Sequence, residues 1–247
     1  MSTQKSDKTS EFYDNLMLGK EKRGVLGKNK RFSSDKIINK NLVNQYFTNV
    51  IKDYLNEEDE VLDYGCGPGA FLVLASSFCK NMIGVDISNS FVDECNNTIN
   101  RYNVKNAQSK HIKPCNTGFE DNSFDKIIMV DVIHHLENIS DELKEIHRIL
   151  KPNGQLIVFE PNKLNPLMFI WHLIDKNERG LLRVGSPRAY RMQLIPLFKN
   201  LNIKYSGLVI GPDSWVFGLI TNILNSKIIY TIFGWLNPKI FIVATKK

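Results

Sequence analysis

The chain has 247 residues, 43% of them apolar and 23% charged, with a net charge of +6. This composition excludes a disordered, collagen-like or disulfide-stapled chain, and the length is enough to bury a sizeable core. No uncharged apolar run reaches the length of a membrane span, and the opening MSTQKSDKTSEFYDN holds no signal-peptide core, so a cytoplasmic protein is expected.

Residues 1–34 are polar, lysine-rich and punctuated by glycine, and read as a flexible arm that folds over a ligand. Next, Ile38, Leu42, Tyr46, Val50 and Tyr54 stand four apart, with Val43, Phe47 and Ile51 beside them. That spacing predicts an amphipathic helix over 35–55, with Ser34 or Asp35 as its N-cap. Strand-like runs follow at 60–64, 82–87, 107–111, 126–130 and 155–160. Helical stretches near 69–79, 88–102 and 140–150 separate most of them. Regular alternation of this kind predicts a doubly wound, mostly parallel sheet with helices on both faces. Lys151-Pro152-Asn153-Gly154 stops a helix and turns into a strand. Further on, 166–174 is apolar and aromatic, and 186–200 reads as a helix with Pro196 inside it. Closing strands are predicted at 204–210 and 240–245, giving seven strands with the last antiparallel. Between them lies a helical apolar insertion, 214–237, whose only charge is Lys227.

Charge is unevenly placed. Residues 61–162 carry 9 basic and 13 acidic side chains, whereas 163–247 carry 12 basic and 3 acidic. A basic last third suits an anionic partner (a phosphate-bearing substrate, a membrane surface or nucleic acid) or is simply solvated. Cys66, Cys79, Cys95 and Cys115 form no C-x-x-C pair and read as reduced thiols.

The segment Val61-Leu62-Asp63-Tyr64-Gly65-Cys66-Gly67-Pro68-Gly69-Ala70 carries the chemistry. A strand runs into a glycine turn and then a helix, so the main chain can approach a ligand closely. Asp86 ends the next strand, where an acid can bind ribose hydroxyls. The glycines also fit a dinucleotide fingerprint, but Asp63 would repel a pyrophosphate. A cationic ligand, with an ammonium and a sulfonium, suits that carboxylate better.

VLDYGCGPG at 61–69 resembles the first motif of the class I S-adenosylmethionine-dependent methyltransferases. GVDIS at 84–88 looks like their second motif. FDKIIMVDVIHHL at 124–136 resembles their fourth strand with its loop, and ILKPNGQLIVFEPN at 149–162 their fifth strand. The nearest flavour is the small-molecule group that includes quinone-biosynthesis methyltransferases. The resemblance implies a Rossmann-like fold and S-adenosylmethionine as cofactor. The resemblance runs over 60–162 and fades outside it; with the arm at 1–34, the expected organisation is a single methyltransferase domain over 35–247, with a cofactor-binding core at 58–162 and acceptor-side or lid elements at 163–238. Carried onto matching positions, the resemblance places Asp63 and the backbone of Gly65, Cys66, Gly67 and Gly69 at the methionine moiety. Asp86 goes to the ribose, Ile87 to the adenine, and Val130 and Asp131 to the cofactor border. One departure concerns the stretch after the third strand. Many relatives carry an acid there for the adenine amino group, whereas this chain reads Lys110-His111-Ile112-Lys113-Pro114.

Methyl transfer from a sulfonium needs alignment, and a hydroxyl acceptor also needs a base. His134 and His135 follow the fourth strand and are the candidate catalytic residues; a structural role in the loop is the alternative. No metal is expected, since Asp131, His134 and His135 have no evident fourth ligand. In the last third, Arg179, Arg183, Arg188 and Arg191 fall within thirteen residues next to the apolar insertion. Together they suit an amphiphilic acceptor with an anionic head, such as a lipid-linked intermediate, and peripheral membrane contact. A helical cap on the core is the plainer reading of the insertion. The expected function is methyl transfer to a small-molecule or lipid-linked acceptor, at a hydroxyl oxygen. A nucleic-acid methyltransferase and a non-catalytic cofactor-binding protein stay open beside it.

Overall fold

The computed structural model describes residues 10–15, 34–39, 41–174, 180–208, 219, 223 and 226–247. Residues 10–15 form a short helical segment. Helices α1 (Ser34–Ile38) and α2 (Asn41–Ile51) lie where one continuous helix is predicted. The chain breaks at Asn39 because the end of α1 finds other partners. Asn44 Nδ2 donates to the Ile38 carbonyl at 2.8 Å, and Asn39 Nδ2 to the Tyr102 hydroxyl at 3.1 Å. Ser34 and Asp35 do not cap α2. Ser34 Oγ donates to the Pro68 carbonyl at 2.7 Å, and Asp35 accepts from Arg101 at 2.9 Å and 3.0 Å.

The alternating part follows in order: β1 (Glu60–Tyr64), α3 (Ala70–Ala75), β2 (Asn81–Asp86), α4 (Asn89–Arg101), β3 (Ala107–His111), β4 (Phe124–Val130), α5 (Ile139–Ile149) and β5 (Leu150–Pro161). Then come α6 (Pro166–Ile174), α7 (Gly180–Val184), α8 (Pro187–Leu194), β6 (Phe198–Ser206), α9 (Lys227–Phe233) and β7 (Lys239–Lys246). The helix predicted over 186–200 is shorter than expected, and β6 starts six residues earlier than expected. Pro196 has no amide to continue a helix, so α8 stops at Leu194 and the strand begins at Phe198. Of the predicted arm over 1–34, only 10–15 and Ser34 belong to the described residues. Of the apolar insertion, Trp215 and Phe217 lie outside them, as does Arg179.

The sheet has seven strands in the order β3-β2-β1-β4-β5-β7-β6. β1 to β5 pair in parallel, and β7 runs antiparallel to both β5 and β6. The expected doubly wound architecture is thus present, with its antiparallel last strand. Side chains alternate between two cores with the period of two that a pleat requires. On β5, Leu156 and Val158 face one side, while Ile157 and Phe159 face the other. On β7, Ile240 and Ile242 oppose Phe241 and Val243 in the same way. One core packs α5, α7 and α8 through Leu143, Ile146, Val184 and Leu194. The other packs α1 to α4 through Val43, Phe47, Leu72 and Ile99. Each fully buried side chain of this size contributes roughly 1.5–3 kcal/mol. A sheet buried on both faces exposes only its ends. The strand order reverses between β1 and β4, so the carboxyl ends of those strands splay apart, and that crevice is where such sheets take ligands.

Candidate active site

The glycine loop leaves β1 at this crevice. Gly65 sits at φ 76° and Gly69 at φ 87°, both in the left-handed region. Neither has room for a Cβ. At Gly65 it would lie 2.6 Å from Val132 Cγ2, and at Gly69 2.7 Å from Cys95 Sγ. The amides of Gly65 and Cys66 both donate to the Val85 carbonyl, at 2.8 Å and 3.0 Å, which pins the loop to β2. Cys66 presents its main chain to the loop and buries its thiol below it. Gly67 differs: a Cβ there would meet nothing within 4 Å. The free space of the loop therefore lies above Gly67.

Two carboxylates flank that space. Asp63 is buried, and its Oδ2 has no hydrogen-bond partner. Burial, and then the nearby Asp86 charge, push its carboxyl up to about 7. Asp86 closes β2, accepting from Gly67 N at 3.0 Å on Oδ2 and from Ser88 N at 2.9 Å on Oδ1. Burial raises it to about 6 against the pull of those amides. Two acids under strain from desolvation, one with an unpartnered oxygen, suit a ligand that brings a cation and hydroxyl donors. They do not suit a pyrophosphate. Ile87 lies just past β2, and its carbonyl already accepts from Ser10 Oγ at 2.8 Å and faces His111 Nε2 at 3.0 Å.

Across the crevice, Val130 ends β4. Asp131 follows at φ 59°, its amide donating to the Phe159 carbonyl at 2.9 Å and its carboxylate paired with Lys239. The two histidines of the next turn divide. His134 is buried, and its Nδ1 faces Glu160 Oε2 at 2.7 Å. Glu160 is a buried carboxylate on which five donors converge. Val132 N and Ile133 N reach Oε1 at 2.7 Å each, while His134 N at 3.3 Å, His134 Nδ1 and the Tyr190 hydroxyl at 3.1 Å reach Oε2. Burial alone would raise this carboxyl. The His134 ring and the amides of Ile133 and Val132 outweigh burial and hold it below the usual carboxylate range. An ionised Glu160 accepts only, so His134 carries its proton on Nδ1. His135 is half-buried and stacks on His134, with ring centroids 3.9 Å apart. The Tyr13 hydroxyl lies 3.5 Å from both nitrogens of the His135 ring.

Tyr13 arrives from the N-terminal segment, which is fastened to the turn between β2 and α4. Asp14 Oδ1 accepts from Ser88 Oγ at 2.6 Å and from Ser90 N at 3.0 Å, and the Tyr13 ring packs on Phe91 at 5.3 Å. Sequence reasoning places the glycine loop, Asp86, Val130, Asp131 and both histidines at one edge, and the fold brings them there. It misses Ser10, Tyr13, Asp14, Glu160, His172, Tyr190 and Lys239. Of these, only Glu160 carried a local signal: an acid ending an otherwise apolar strand has to find partners once buried. Among the described residues, no three His, Cys, Asp or Glu side chains converge as a metal site.

Residues 62–158 match the family described as a methyltransferase domain. An uncharacterized methyltransferase of Bacillus subtilis, YcgJ, is 27% identical over 167 residues, covering 64% of each chain. A demethylmenaquinone methyltransferase of Symbiobacterium thermophilum is 29% identical over 123 residues, 46% of this chain and 47% of that one. The solved structure of a methyltransferase from Archaeoglobus fulgidus shares the fold, with a TM-score of 0.61 at 20% identity over 86% of this chain and 97% of that one. The chain spans from 6% to 64% of the length of the curated relatives it matches. Over residues 62–158 the chain is thus similar to S-adenosylmethionine-dependent methyltransferases, and its fold is the one the Archaeoglobus fulgidus structure shows.

Proposed function

We propose that the chain transfers a methyl group from S-adenosylmethionine to a hydroxyl oxygen of a small-molecule or lipid-linked acceptor. The observation that carries this reading is the buried, unpartnered Asp63 Oδ2 on β1 together with the anchored His134–His135 pair that follows β4, the strand beside it. The bound cofactor supplies a methyl group on a sulfonium, a leaving group that needs no help. Asp63 holds the ammonium of the methionine moiety, with the main chain of Gly65, Cys66, Gly67 and Gly69 beneath it. Asp86 accepts from the ribose hydroxyls, Ile87 packs on the adenine, and Val130 and Asp131 border the site.

The remaining task is to align the acceptor and remove its proton. His135 takes that proton on a ring nitrogen as the new oxygen–carbon bond forms and the carbon–sulfur bond breaks. His134 is the positioning residue behind it, since Glu160 fixes its ring and its ring fixes His135. Tyr13 covers His135 and excludes water. On this reading residues 35–247 act as one domain, with 163–238 on the acceptor side and the arm as a cover. Incubation with methyl-labelled S-adenosylmethionine and a host-cell extract, followed by partition, tests it. Label in a base-stable, ether-linked product supports it. No transfer to any fraction, with cofactor binding intact, would leave a binding protein instead.

A further inference from the structure

Helix α6 turns a polar side chain inward and apolar ones outward. His172 is buried, with its ring 6.0 Å from that of His134. Leu167, Ile170 and Ile174 stand three and four residues apart, on one face of the helix, and are 78, 53 and 60% exposed. The foot of the helix is tied to the turn after α9. Asn165 Nδ2 donates to the Leu236 carbonyl, and Asn162 Nδ2 to that of Trp235 at 2.8 Å. The exposed Ile232 and Trp235 therefore belong to the same corner of the molecule.

Among the described residues of the last third, charge has one sign. The described stretches 163–174, 180–208 and 226–247 contain no Asp or Glu. The neighbouring helices α7 and α8 present the exposed Arg183, Arg188 and Arg191.

We propose that this corner docks on the surface of an anionic lipid bilayer. The stripe of α6 enters the acyl boundary, and the arginines meet lipid phosphate. Large apolar side chains held out in water cost free energy that burial in lipid returns. The exposed arginines add attraction at an anionic membrane surface, where each strengthens binding by roughly fivefold. On the other side of the same helix His172 lies against His134, so docking sets the histidine turn toward the bilayer. The inference rests on the methyl-transfer reading only for what the site does once docked.

The test is co-sedimentation of the full chain with phosphatidylcholine vesicles, with and without phosphatidylglycerol. Binding is expected only to the anionic vesicles and should weaken with salt. Leu167→Asp and Ile170→Asp should each weaken it on the order of tenfold, the loss expected for removing one buried leucine-sized group. Arg188→Gln and Arg191→Gln should each weaken it roughly fivefold. Calorimetric S-adenosylmethionine binding, unchanged in all four variants, establishes that they fold. Absence of sedimentation, equal binding to both vesicle types, or binding that survives both aspartates overturns the proposal. So does a dimer in sedimentation velocity that Leu167→Asp dissolves, because the face would then be covered by a second copy. Vesicle binding with no methyl transfer to any product would leave the docking surface standing and sink the proposed activity.

Discussion

Asp63→Asn should make the ligand-free protein more stable while crippling its hold on the cofactor. The carboxyl moves from 3.8 in an open chain to about 7 in the fold, because it is buried and faces the Asp86 charge. At 1.36 kcal/mol for each tenfold, keeping it ionised in the fold costs at most about 4 kcal/mol. The sign follows from the unfolded chain, which releases this proton first. Stability of the ligand-free protein therefore falls as pH rises from about 4 to about 7, and then levels. Asparagine cannot ionise, so the variant escapes that loss and should gain roughly 1–4 kcal/mol above pH 7, less at pH 5. Cofactor binding should move the other way. Losing a charge-assisted contact to the ammonium weakens it by about 1.5–3 kcal/mol, or some 10- to 150-fold. In the parent protein, affinity should rise with pH up to about 7, because the ammonium needs the ionised acid. Urea unfolding at about pH 5 and about pH 7.5, with calorimetric titration of S-adenosylmethionine at both, reads these effects together. A variant no more stable at the higher pH, or one that binds cofactor as tightly as the parent, would refute the assignment.

Glu160→Gln places an amide where five donors converge, so its NH2 must face at least two of them, and should cost about 2–4 kcal/mol in urea unfolding at neutral pH. Glu160 is held below its open-chain value of 4.5, so its contribution is present above that pH. The gap between parent and variant should close as pH falls through the folded midpoint; a gap that widens in acid would contradict the clamp. His135→Ala should lower kcat by about 10²–10⁴ with little change in cofactor affinity. His134→Ala should also lower the melting temperature, since it strips Glu160 of a partner; identical behaviour of the two variants would dissolve the division of roles. Gly65→Ala combines a left-handed backbone with a contact 2.6 Å from Val132. It should cost about 2 kcal/mol or more and weaken cofactor binding, and a silent variant would mean that the loop is looser than this geometry.

The sheet could be read from the chain because its causes are local. Five short apolar runs set between helical stretches leave few arrangements other than a doubly wound sheet. The glycine loop was legible for the same reason: Gly65 and Gly69 need left-handed backbone, and that need is written in the residue type. The boundary at Pro196 was partly legible. The proline announced a break, but pairing with β7 decided that the strand begins as early as Phe198.

The chain alone thus determined the topology, the glycine loop and the two acids near it, since periodicity, turn chemistry and charge act over a few residues. Tertiary structure alone decided which histidine is anchored on Glu160 and which packs beside Tyr13. It joined Glu160 to His134 across 26 positions and Tyr13 to His135 across 122. It also chose which face of α6 stays outside. Those outcomes depend on which distant donors converge on a buried carboxylate, and desolvation makes that choice only once the sheet has closed over it.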